Sequence, residues 1–485
     1  MGWDLIALLV VPFAVSGACL VVPRRVAQGL TVGSGAVTFA LALLLVPRAA
    51  AASALSGWLR ADALSTVFLT AVAFLYAATA VFAVGYLRPP GERERSRRYT
   101  RRFHSGINLF AWSMAMATLV NDLALLWVAI EVTTVVSALL VAIDGTDGSA
   151  EAAWKYVLIA SMGLGIALLA TIVMYHAGTQ VLGNGYEPFF GRLLGAAARF
   201  PPAVVRLSYV LAVLGFGTKM GLFPVHTWLP DAHSQAPTPV SALLSGSLLA
   251  VSFYAILRYY QITVRAVGPA FARNVLLAFG LASLALAALY LTRQRDIKRL
   301  LAYSSVEHMG ILAVGMSFSA PVAVVGVLLH VLAHTAAKGT AFFGAGSVVR
   351  SLGTKDMRRI RGAIGVLPWS GPMLTLAVLG LCALPPSGLF RSEFLIVAGG
   401  LSDPRDAVVA VLAVLVTLAS LGLSWFGTQT MLTPTPESVA VGETSGWIVA
   451  SMVVGLLALT VLGVHPPSAL SGLLDRAAAE LGVPR

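Results

Sequence analysis

Residues 215–246 read GFGTKMGLFPVHTWLPDAHSQAPTPVSALLSG. An apolar run carries Lys219 and is then cut by Pro224, Pro230, Pro237 and Pro239. Proline removes a backbone donor and breaks a helix. At membrane depth such a break is tolerated only where protein or a wet cavity covers it. A second break stands at residues 384–393, LPPSGLFRSE. The flanks echo each other, with Val213-Leu-Gly215 and Gly221-Leu-Phe223 set against Val378-Leu-Gly380 and Gly388-Leu-Phe390. Interrupted helices in corresponding halves point to an inverted-repeat transporter whose pathway runs through the interruptions.

The rest of the chain fits a membrane setting. Of 485 residues, 58% are hydrophobic and 11% charged, with a mean hydropathy of +0.85. Soluble proteins carry about 25% charged residues. Soluble enzymes, secreted disulfide scaffolds and disordered chains are therefore excluded. Apolar runs near 4–22, 26–46, 62–86, 105–120, 123–143, 152–176, 204–223, 240–262, 272–292, 302–319, 322–348, 363–384, 406–430 and 446–464 predict about 14 transmembrane helices. About 20 apolar residues suffice to cross the bilayer. The fold class is an all-α polytopic membrane protein, the first apolar stretch being read as an uncleaved helix for want of leading basic residues.

The net charge of +12 comes largely from arginines in short loops, where they set topology; no basic stripe is interleaved with aromatics, and nucleic acid is not expected as a partner. Arg24-Arg25, the run from Arg88 to Arg102, the segment from Arg293 to Arg299 and that from Arg350 to Arg361 mark the cytoplasmic side, which places both termini outside. Cys19 and Cys382 lie far apart and cannot hold an iron–sulfur cluster or a zinc ribbon. No dinucleotide fingerprint or phosphate loop occurs. No cofactor and no catalytic redox centre is expected in this chain.

The informative residues are charges inside apolar segments. The sequence has five lysines against 28 arginines. Lys155, Lys298 and Lys355 fall at span ends, but Lys219 and Lys338 lie deep. Arginine keeps its proton under all conditions, whereas lysine in a dry interior can surrender it. Intramembrane ionisable groups mark ion routes by default. Glu131 sits mid-span, about nine residues from Asp122 and about a dozen from Asp144. His330, His334 and Lys338 recur every four residues and share one helix face, a string of proton stations. The two histidines also have metal spacing, but no third ligand is evident in the sequence and no metal is expected. Glu393 follows the second break, either as a terminal proton group or as a partner of Arg391. Ser304-x-x-Glu307 reads as a capping box that opens a helix. His226 and His233 flank Pro230 in a loop and either face a water-filled vestibule or are idle.

The 215–246 segment resembles the antiporter-like proton-translocating subunits of complex I, Mrp-type antiporters and energy-converting hydrogenases. SSVEHMG (304–310), LLSGSLL (243–249) and AILRYY (255–260) are most similar to the hydrogenase-4 component F branch. The resemblance implies two inverted five-helix repeats with broken helices 7 and 12. The corresponding segments are 1–104 (helices 1–3 and a basic cytoplasmic loop), 105–262 (first repeat), 272–430 (second repeat) and 446–485 (helix 14 and tail). It implies that Glu131 is the fifth-helix glutamate, Lys219 its seventh-helix partner, Lys338 the lysine of the second half-channel, and Glu393 the terminal group. Several members carry an eighth-helix lysine where this chain reads Leu248-Leu-Ala250-Val-Ser252, so water or a histidine must replace it. No long lateral helix follows span fourteen.

The implied function is redox-driven proton translocation inside a complex I-like or hydrogenase assembly of a prokaryotic inner membrane, with other membrane subunits as partners. The alternative is an Mrp-type Na+/H+ antiporter subunit. A scaffold whose pump lies elsewhere is a third reading.

Overall fold

The computed structural model describes residues 2–48, 52–87, 93–434 and 441–482. The start of the basic run, Arg88 to Glu92, lies outside the described residues. Helices in chain order are α1 (Gly2–Cys19), α2 (Arg24–Leu45), α3 (Ala63–Tyr86), α4 (Arg93–Leu119), α5 (Leu123–Val141), α6 (Asp147–Leu182), α7 (Phe190–Ala196), α8 (Pro202–Met220), α9 (Trp228–Gln235) and α10 (Thr238–Leu243). They continue with α11 (Leu249–Val267), α12 (Pro269–Leu291), α13 (Ile297–Gly315), α14 (Pro321–Leu352), α15 (Ala363–Val366), α16 (Ser370–Leu381), α17 (Gly388–Leu401), α18 (Asp406–Met431), α19 (Gly446–Val464) and α20 (Ser468–Glu480). A π-helical turn, Leu244–Leu248, fuses α10 to α11.

Among the described residues, eleven helical stretches are long and apolar enough to cross a membrane. The other three predicted spans are α4 and α13, which carry polar residues along their length, and 363–384, which is split into the short helices α15 and α16; α17 lies outside the predicted spans. Both breaks fall where proline predicts them: residues 221–227 separate α8 from α9, and residues 382–387 separate α16 from α17. The outer surface is apolar, with Met162, Leu289 and Leu139 each about 70% exposed. Such side chains are stable facing hydrocarbon, not water.

A two-stranded antiparallel hairpin, β1 (Ala52–Ala54) and β2 (Leu59–Ala61), precedes α3 in what the sequence leaves as a loop. Asp62 then caps α3 by accepting from the Ser65 amide at 2.9 Å. Its carboxylate also pairs with Arg258 of α11 at 2.7 Å, both side chains being buried. Arg258 further donates to the hydroxyl of Tyr254 and to Gln261. Glu480, at the end of α20, accepts from the Ala63 and Leu64 amides, so the last described helix finishes the cap of the third. A buried ionic knot thus ties α3, α11 and α20 together.

One helix start differs from expectation. Helix α13 is capped by Asp296, which accepts from the Lys298 and Arg299 amides. Ser304 and Glu307 are therefore two turns or more inside the helix and fully buried. The Asp-Ile-Lys-Arg start outcompetes the Ser304-x-x-Glu307 pattern because a capping box needs free amides, and at Ser304 the amides are already paired along the helix.

Candidate functional site

The first cluster gathers where α5, α6 and α8 meet. Asp122 caps α5 through the Leu125 amide, which places Glu131 in the helix interior. Helix α8 ends directly after Lys219, because Gly221 adopts a left-handed conformation (φ +86°) and returns its amide to the Gly217 carbonyl. A Cβ there would stand 2.6 Å from Leu229 Cδ1, so glycine is required on two counts. The break leaves the Thr218 carbonyl without its usual helical partner; Trp228 Nε1 donates to it at 2.7 Å. Across the same break, the Phe223 amide donates to Ser283 Oγ, which ties the break to α12.

Lys219 is completely buried. Its ammonium donates to Thr134 Oγ1 and to the Tyr156 hydroxyl, each at 2.6 Å. Glu131 is not its partner in this structure. Neither carboxylate oxygen lies within the 4.0 Å of an ion pair. Ser161 donates to Oε1 over 3.4 Å, and Oε2 is buried without a partner.

The second cluster lies where α13, α14 and α17 meet. Lys338 is also fully buried and donates to the Leu301 carbonyl and to Ser304 Oγ, both at 2.8 Å. Glu307 and His308 follow on the same face of α13. His308 Nδ1 lies 3.0 Å from His330 Nε2, and His330 Nδ1 lies 3.0 Å from Ser392 Oγ. The His334 ring stands 5.2 Å from that of His308. Ser392 spends its proton on the Leu389 carbonyl at 2.9 Å, so it can only accept from His330. His330 therefore carries its proton on Nδ1, and His308 donates from Nδ1 to the bare Nε2 of His330. Gly326 makes this approach possible: a Cβ there would meet the Ser392 carbonyl at 2.9 Å and hold α17 away from α14.

The sequence offered no third ligand beside His330 and His334, and that premise is corrected here. His308, His330 and Glu393 bring ligand-capable atoms within 4.8 Å of one another. His334 is not in that group. One hydrogen bond joins His308 to His330, while His308 Nε2 stays buried and unpartnered.

Between the clusters lies His233, and here the expectation of a loop-borne vestibule residue is overturned. His233 is on α9 and completely buried. Its Nδ1 donates to the Leu229 carbonyl at 2.8 Å, leaving Nε2 a bare, unpartnered acceptor. Its ring stands 6.1 Å from Trp228, whose own ring lies 4.5 Å from Tyr156. On its other side Phe342, one turn beyond Lys338, stands 5.8 Å away. His226 does lie in the non-helical break, where it is buried beside Phe223. Glu393 is partly exposed, and Arg391 donates to the Gly463 and Val464 carbonyls, making no ion pair with Glu393.

The sequence profile of the family described as NADH:quinone oxidoreductase/Mrp antiporter, transmembrane, matches residues 120–422, more than half of the chain. The chain belongs to this family. A hydrogenase-4 component F homolog from Methylacidiphilum infernorum is 35% identical over 371 residues, covering 74% of this chain and 76% of the relative. An NADH-quinone oxidoreductase subunit N from Desulforudis audaxviator is 32% identical over 371 residues, covering 74% and 71% respectively. In fold, the chain is similar to a subunit of the Mrp complex from Dietzia sp. DQ12-45-1b, with a TM-score of 0.86 and 19% identity over 99% of this chain and 98% of that one. It is thus an antiporter-like, multi-pass membrane subunit.

Within this family frame, the sequence-predicted residues fall into two groups. Lys338, His330, His334 and Glu393 come together, joined by Glu307 and His308. Lys219 and Glu131 face the same region but stand apart. Sequence reasoning missed Tyr156, Thr134, Glu307, His308 and Ser392. A helix begun at Asp296 would have shown Ser304, Glu307 and His308 on one face, at steps of three and four. Tyr156 and Thr134 give no signal in an apolar helix.

Proposed function

We propose that this chain is the proton-translocating membrane subunit of a redox-driven, complex I-like or hydrogenase assembly in a prokaryotic inner membrane. The route runs from Glu131 and Lys219 through His233 to Lys338, then by Glu307, His308, His330 and His334 to Glu393. One observation carries this reading: two lysines, each wholly buried, hold only neutral oxygens. Burying an ionised amine without a counter-charge is costly, so such groups are retained for what their proton does. His233, with a bare nitrogen inside the protein, is taken as the histidine that does the work of the family's eighth-helix lysine. Glu393, partly exposed, is the outlet. The arginine-rich loops keep both termini outside the cytoplasm.

The test is proton uptake by inverted membrane vesicles that contain the assembled complex. Lys219→Ala should abolish uptake, and His233→Gln should cut it severely, with the complex still present at wild-type amount. Wild-type uptake by Lys219→Ala would remove the lysine from the route. A second reading, Na+/H+ exchange, is favoured by the fold shared with the Mrp subunit; it requires uptake that depends on sodium and persists without an electron donor.

A further inference from the structure

We propose that the hydroxyls of Tyr156 and Thr134 form a second seat for the Lys219 amine, occupied when it leaves Glu131, and that the proton departs from this seat. The inference rests on the relay reading above and concerns which residues position its first lysine.

The direction of each hydrogen bond can be read. Ser137 Oγ gives its proton to the Thr133 carbonyl at 2.5 Å. It can therefore only accept from Tyr156, whose hydroxyl lies 2.7 Å away. With its proton so committed, the Tyr156 oxygen turns lone pairs alone toward Lys219. Thr134 presents Oγ1 on the other side, its own bond to the Ile130 carbonyl being stretched to 3.4 Å. The amine thus sits between two acceptors, with the Tyr156 ring 4.9 Å from its nitrogen.

Two acceptors match the two N–H groups of a neutral amine. A carboxylate, by contrast, is well matched only to the charged ammonium. At Glu131 the lysine is held as a cation; between the hydroxyls both its N–H groups stay satisfied after the third proton has gone. The step balances simply: one Nζ–H bond breaks, leaving a neutral amine, and one N–H bond forms at the acceptor that receives the proton, which the relay reading takes to be the bare Nε2 of His233, reached past Trp228. The vacated seat is also visible, since Glu131 Oε2 is buried and unpartnered. Glu131 and Thr134 are three residues apart on α5, neighbours about 5–6 Å apart at Cβ, so the amine swings a short way between them.

The experiment compares Tyr156→Phe, Thr134→Val, Thr134→Ser and Lys219→Ala in vesicles containing the assembled complex, with its amount measured on native gels. A hydrogen bond to a charged donor is worth about tenfold or more in an equilibrium, so Tyr156→Phe and Thr134→Val should each lower proton uptake by about that factor. Thr134→Ser keeps the acceptor and should restore wild-type uptake, which a packing role for the threonine methyl would not. If Tyr156→Phe fails to assemble, the valine and serine variants at position 134 decide alone. Wild-type uptake in Tyr156→Phe and Thr134→Val beside a dead Lys219→Ala overturns the second seat and leaves the relay intact. Wild-type uptake in Lys219→Ala overturns both.

Discussion

A carboxyl group that meets neither water nor cation in a protein interior needs a reason to be there. Glu307 is 1% exposed, has an unpartnered oxygen, and sits one turn from the Ser304 that holds Lys338. It lies between that lysine and the histidine chain, and the proposed relay passes a proton through it. Glu307→Gln keeps the shape and removes the acid. Proton uptake should fall by about tenfold or more while the complex still assembles; an unchanged rate would make Glu307 a packing residue. At this scale the sequence spoke clearly where charge contradicts surroundings. Lys219, Lys338 and Glu131 stand out because nothing apolar explains them. It was silent where the working atom is a hydroxyl, as in Tyr156, which any buried aromatic position accommodates. It misled at Glu307, because a local capping pattern competed with a tertiary role and only the true helix start at Asp296 decides between them.

At the scale of elements, the breaks in α8 and α16/α17 were legible, since proline cannot donate and its preceding residue resists the helix. What the sequence could not supply is how the freed groups find partners: Trp228, ten residues on, takes the Thr218 carbonyl, and Ser283, on α12, takes the Phe223 amide. Gly221 is the hinge point of the first break. Gly221→Ala would place a side chain in the left-handed region and against Leu229, at a cost of about 2 kcal/mol. The purified variant should melt at a lower temperature, and uptake should fall because Lys219 is moved from its partners. A melting curve unchanged from wild type would show that the helix end relaxes freely.

At the scale of the whole molecule, the all-helical membrane fold followed from hydropathy, but the ionic knot did not. Asp62 and Arg258 lie far apart in sequence, and each looks like an end-of-span charge on its own. Breaking a buried pair by removing one member costs about 3–5 kcal/mol; here Arg60, 3.5 Å from Asp62, softens the loss. Arg258→Ala should lower the melting temperature of the detergent-solubilised chain and its yield. Asp62→Asn combined with Arg258→Met should recover part of both, since the charge left beside position 62, Arg60, is part-exposed. If the single variant is as stable as wild type, the knot is not holding α3, α11 and α20.

The position of Glu480 has a consequence for biogenesis. The amides of Ala63 and Leu64 receive this partner only after more than 400 further residues have been translated. Until the ribosome has delivered α20, the mouth of α3 stays incompletely closed, however well the intervening helices have inserted. The start of α3 is thus closed by a group from the far end of the described chain, a contact that no neighbouring stretch of sequence makes on its own.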